Sequence, residues 1–210
     1  MKKFRLTKGL YGGAAILVIT IIIIVIFYKQ PISSTTTSEV AVAIGEPYSQ
    51  MIKDSTPGVI ESHPYSLKWG YYYVNKPARL YFKDPQYSFT TPVAAKDFFV
   101  VAYMDGNIET IRISPQLDTL SLDDAMKVIL DLQEQWRKKG WILSKSTHSS
   151  AYEDTPEMRE KAKNNKCPTV FWNADNKYQL MIFLQKLADP KRPSQDRYLI
   201  IINITVPVFK

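Results

Sequence analysis

Apolar residues run without a charge from Gly9 to Tyr28, 20 positions in all. As a helix rising about 1.5 Å per residue, that run spans roughly 30 Å, the thickness of a bilayer's hydrocarbon core. A secretory signal has an apolar stretch of only about 7–15 residues with small residues close behind it. The one small-residue tripeptide here, Ala41-Val42-Ala43, lies too far beyond Phe27 for cleavage, and Cys167 is too distant to carry a lipid anchor. The pattern predicts a retained transmembrane anchor over 9–28. Residues 29–43, small, polar and β-branched without an amphipathic period, read as a spacer.

Periodic patterning begins near Ile44. Pro47 opens a short helix in which Tyr48, Met51 and Ile52 share one face. The stretch "LKWGYYYVNKPARLYF" is rich in strand formers, and Pro77 divides it into two short strands. In "KDFFVVAYMDGNIETIRIS" the Asp105-Gly106 pair is a two-residue hairpin turn. Counting outward pairs Tyr103 with Ile108, Val101 with Thr110 and Val100 with Ile111. Phe98, Val100, Ala102, Ile111 and Ile113 then form the core side.

The 3.6-residue period is clearest in "LSLDDAMKVILDLQEQWRKKGW", where Leu122, Ala125, Ile129, Leu132 and Trp136 form one stripe. Ser121 is the expected N-cap and Gly140 the stop. Asp123 and Asp124 lie at the positive end of the helix, and Arg137 to Lys139 at the negative end. A shorter helix is expected from Thr155-Pro156 to about Lys163. After it come a hairpin around Ala174-Asp175-Asn176 and the strand "RYLIIINITV", apolar on both faces as a central strand would be. The predicted fold class is α+β: an N-terminal transmembrane helix, then one domain over 44–210. Its antiparallel sheet has five to seven strands, packed by two or three helices.

Charge orients this arrangement. Lys2, Lys3, Arg5 and Lys8 precede the anchor, while Lys29 alone follows it closely. The positive-inside rule then puts residues 1–8 in the cytoplasm and 44–210 in the periplasm, tethered to a bacterial inner membrane. The net charge of +7 and pI near 9.3 lose much of their weight, because four of the positive charges belong to the N-terminal tail. The remaining domain, at about +3, has no basic stripe, which argues against nucleic acid.

No motif carries catalysis. The two histidines, His63 and His148, lack ligand-spaced partners, and there is no zinc, nucleophile-elbow or phosphate-loop pattern. His148 in "KSTHSSAYED" has serines and carboxylates near it, but such a triad is defined by geometry rather than by order along the chain. Asp123-Asp124 is accounted for by the helix dipole, and Glu153-Asp154 by a solvated loop. Cys167 reads as a small buried apolar residue. No cofactor, metal or enzyme activity is expected.

The tempting surfaces are for binding. Trp69, Tyr71, Tyr72 and Tyr73, with Lys68, Lys76 and Arg79 around them, are of the residue types that carry interface energy. Three tyrosines in a row must point to both sides of a strand, and Trp69, Tyr72 and Arg79 are the contact candidates. Two connections are long, 144–154 with Glu153 and Asp154, and 188–197 with Lys191 and Arg192 at a basic tip.

A short anchor, an "IGEP" entry, a strand hairpin and then an amphipathic helix ending in "KKGW" together resemble membrane-anchored periplasmic immunity proteins of type VI secretion effectors. The resemblance implies a cognate toxin acting in the periplasm, a lipase or cell-wall hydrolase, neutralised by occlusion. It carries over no site residue. The alternative is a non-enzymatic scaffold subunit of the cell envelope or of a secretion machine.

Overall fold

The computed structural model describes residues 37–60, 68–145 and 150–207. The expected anchor over 9–28, His63 and His148 lie outside the described residues. Among the described residues no helix is long and apolar enough to cross a membrane.

Thirteen elements are described in this order: β1 (Ser38–Val42), α1 (Tyr48–Asp54), β2 (Trp69–Tyr73), β3 (Ala78–Phe82), β4 (Phe89–Thr90), β5 (Phe99–Met104), β6 (Asn107–Ile113), α2 (Leu122–Lys138), β7 (Ile142–Leu143), α3 (Pro156–Lys163), β8 (Val170–Ala174), β9 (Tyr178–Leu187) and β10 (Arg197–Thr205). The domain is α+β. A seven-stranded sheet, antiparallel throughout, runs β2-β5-β6-β10-β9-β8-β7, and a three-stranded sheet runs β1-β3-β4.

The folded unit begins earlier than the hydropathy pattern indicates. Residues 38–42, assigned to the spacer, form β1 and pair in parallel with β3, with Val40 and Val42 fully buried. The short run "SEVAV" is too brief to show a period by itself. Its burial comes from β3, some 40 positions later along the chain.

The helix α2 forms where the stripe requires it. Ser121 Oγ accepts from the Asp124 amide at 3.2 Å, a side-chain N-cap. At the other end Gly140 takes φ +86°, the Trp141 amide donates to the Trp136 carbonyl and the Gly140 amide to that of Arg137. That is the paired closure of a Schellman cap, which only a residue tolerant of positive φ permits at this position. The buried stripe, Ala125, Ile129, Leu132 and Trp136, packs into the core, where Trp136 meets Trp172 of the seven-stranded sheet and Phe89 of the small sheet with ring centroids 5.8 and 5.7 Å apart.

The β5–β6 hairpin corrects the expected register. Tyr103 does pair with Ile108, but a bulge follows: Ala102 pairs with Thr110, Val101 with Ile111 and Val100 with Arg112. The extra residue in β6, Glu109, reverses which half of β5 faces the core, because side chains alternate with a period of two. Phe99, Val101 and Tyr103 are buried beside Ile108, Ile111 and Ile113, while Phe98 and Ala102 turn to the other face. Strand β10 is central, as its composition suggests, but only Tyr198, Ile200, Ile202 and Ile204 are buried, and the intervening residues are half-exposed.

A candidate protein-binding surface

The seven-stranded sheet has two unlike faces. On one, side chains from α1, α2, α3 and the small sheet join the strand residues in a single apolar cluster. On the other, the strand positions are half-buried or exposed, with Val100 and Gln179 as exceptions. Alternation along β2 makes the contrast sharp: Trp69, Tyr71 and Tyr73 are 62%, 49% and 65% exposed, while Tyr72 between them is 3% exposed.

Tyr72 is therefore a core residue. Its ring lies 5.6 Å from that of Tyr48 on α1 and 5.3 Å from that of Tyr103, and burial pushes its phenol up to about 12. Trp69 and Tyr72, named together from composition, stand on opposite faces of one strand. Gly70 explains part of this arrangement. The Tyr103 ring lies over it so closely that an added Cβ would sit 2.7 Å from Cζ, so only glycine leaves room for the phenol.

Register builds the exposed face row by row. Tyr73 pairs with Val100, Val100 with Arg112, Arg112 with Asn203, Asn203 with Met181, and Met181 with Phe171. The neighbouring row carries Tyr71, Ala102, Thr110 and Thr205. Where the rows adjoin, Tyr71, Val100, Ala102, Thr110, Arg112 and Asn203 line a shallow recess of about 250 Å³. Arg112 is exposed and makes no ion pair with any described residue, and the buried Asn203 Oδ1 accepts no hydrogen bond from one.

The other residues singled out from sequence are scattered, not gathered. Arg79 lies half-buried on the small sheet. Asp154 is tied to Arg159 at 2.5 and 3.0 Å, and Arg159 reaches Asp123 at 2.6 Å, so Arg159 fastens α3 to the start of α2 and holds the acidic loop beside it. Its neighbour Glu153 is exposed.

In the 188–197 connection, Lys191 is exposed, but Arg192 is engaged inside the loop. Its guanidinium binds Asp118 at 2.7 Å and Asp189 at 2.9 Å, and Arg197 donates to the Thr119 carbonyl. Asp189 is buried. The Thr119 hydroxyl, the Lys191 amide and Arg192 hold its carboxyl at about 2. The length of this loop is spent on closing it against residues 118–119.

Cys167 is half-buried, and burial pushes its thiol up, the opposite of activation. Among the described residues no cluster of three His, Cys, Asp or Glu side chains could hold a metal.

Residue type alone missed Met104, Arg112 and Asn203. Strand parity requires the three consecutive tyrosines to point to both sides, and the structure decides that Tyr71 and Tyr73 are the exposed ones. The rest needed the register. No family model, curated protein or solved structure matches this chain.

Proposed function

We infer that the chain is a membrane-tethered periplasmic binding protein, and that it neutralises a periplasm-acting toxin by occlusion. The observation that carries the binding part is the exposed face of β2 and its neighbours. Three aromatic side chains and Met104 stand exposed together on the sheet, with no cluster of three His, Cys, Asp or Glu side chains that could hold a metal among the described residues. Tyr and Trp supply large contact area at low conformational cost, and sheet strands hold them in place before a partner arrives.

The tether supports the toxin reading. The uncharged 9–28 segment and its basic flank favour placing the domain on the outer side of the inner membrane. A tethered inhibitor is concentrated where a lipase or cell-wall hydrolase attacks.

The test is survival. Deleting the gene should sensitise cells to contact with sibling cells, and expressing the full chain should restore protection. Trp69→Ala and Tyr73→Ala should lose protection while the protein still accumulates and melts as wild type. Full resistance of the deletion strain to its siblings would end the toxin reading and leave a scaffold subunit of the envelope as the better account.

A further inference from the structure

If the exposed sheet face is a binding surface, as proposed, its residues also specify the chemistry of the partner. The paired rows on that face carry two cations, Arg112 and Arg197, and no carboxylate; Glu109 lies at the bulge, outside the pairing. Arg197 is committed to Thr119, its Nε and Nη2 donating to the Oγ1 and carbonyl of that residue. Arg112 is left uncompensated among the described residues, at the centre of a largely apolar surface. Beside it are the exposed Tyr71 and its own pairing partner Asn203, whose Oδ1 receives no donor.

We propose that the recess around Arg112 takes a carboxylate side chain projecting from an apolar surface of a protein partner. A guanidinium presents a fork of donors suited to a carboxylate. Once apolar groups seated on Tyr71, Tyr73 and Met104 exclude water, that pair gains strength over its solvated value.

The alternatives fit less well on the same observations. A second copy stacked face to face would bring the cations of one set of paired rows against those of the other. An anionic membrane surface attracts by about 1 kcal/mol per basic residue near it, and Arg112 by itself gives it little hold.

The experiment uses the full chain in phosphatidylcholine nanodiscs and two blocked peptides, acetyl-Tyr-Glu-Tyr-amide and acetyl-Tyr-Gln-Tyr-amide. Nuclear magnetic resonance follows the Arg112 Nε–H and the Thr110 and Asn203 amides. The Glu peptide should bind about tenfold more tightly than the Gln peptide and shift those signals, as expected for one charge-assisted pair. Arg112→Gln should erase the preference and Arg112→Lys should keep part of it.

Equal affinity for both peptides, or shifts confined to another region, would overturn the proposal. So would shifts of these signals on adding phosphatidylglycerol to the nanodiscs, which points to lipid, or on raising protein concentration alone, which points to a second copy. The peptide result stands or falls independently of the survival assay, because it asks what the face recognises and not which partner the cell supplies.

Discussion

Gln133 on α2 and Tyr152 in the segment before α3 are joined by two hydrogen bonds: Gln133 Nε2 donates to the Tyr152 carbonyl and the Tyr152 amide donates to Gln133 Oε1, both at 2.9 Å. A buried glutamine here replaces the backbone partner that an irregular segment lacks. The phenol of Tyr152 does the same further on. It donates to the Pro168 carbonyl at 2.8 Å and accepts from the Leu184 amide at 3.0 Å, bridging β8 and β9 where Pro168 ends their ladder.

Gln133→Leu should therefore destabilise the domain even though it adds apolar surface. It strips the partners from one buried N–H and one buried C=O, at a cost of about 2–4 kcal/mol for the pair. Chemical denaturation measures it, and a loss within about 0.5 kcal/mol would show that water or a neighbour replaces the amide.

Trp136 is fully buried between Phe89 and Trp172. Trp136→Ala should lower stability by roughly 3–5 kcal/mol, the range for emptying an aromatic site in a packed core. An effect below about 1 kcal/mol would mean that the helix stripe does not anchor the sheet.

Gly70→Ala places a methyl against the Tyr103 ring, which is itself held among Tyr48 and Tyr72. Overpacking of this kind costs about 1–3 kcal/mol. Combining it with Tyr103→Leu should recover part of the loss, and a double-mutant cycle reads the coupling.

Asp189 is held at about 2, below its ordinary 3.8, so its folded-state pKa is depressed. The stability it contributes is then present above the unfolded value and is lost as pH falls from about 4 towards 2. Asp189→Asn should flatten the pH dependence of stability in that window. It should also speed amide exchange in residues 188–197, whose turn Asp189 organises by accepting from the Lys191 amide and Arg192. An unchanged slope between pH 4 and 2 would show that Asp189 plays no part.

The anchor reading predicts that the full chain stays with the membrane pellet under alkaline carbonate, and that a C-terminal alkaline phosphatase fusion is active. Release into the soluble fraction would remove the tether from the proposed function.

Elements whose determinants are local were legible from sequence. Helix α2 needs only its stripe, Ser121 and Gly140, all within about 20 positions, and each acts on its own turn of backbone. The Asp105-Gly106 and Asp175 turns were legible for the same reason, since a positive φ is a property of the residue that adopts it. The helix from Pro156 followed from Thr155, whose hydroxyl accepts the Met158 amide at 3.2 Å.

What depended on distant parts of the chain was decided by the tertiary structure. The bulge at Glu109 could not be counted from the turn, because one extra residue in β6 leaves the local pattern intact while exchanging the faces of β5. Strand β1 is held by a parallel partner that hydropathy does not name. Composition marked an aromatic cluster, but whether each ring is core or surface follows from strand parity and from where the helices pack. That placed Tyr72 inside and left Trp69, Tyr71 and Tyr73 outside. Arg112 and Asn203, over 90 positions apart, share a recess because β6 and β10 are neighbours, a pairing that arises only when the whole sheet assembles.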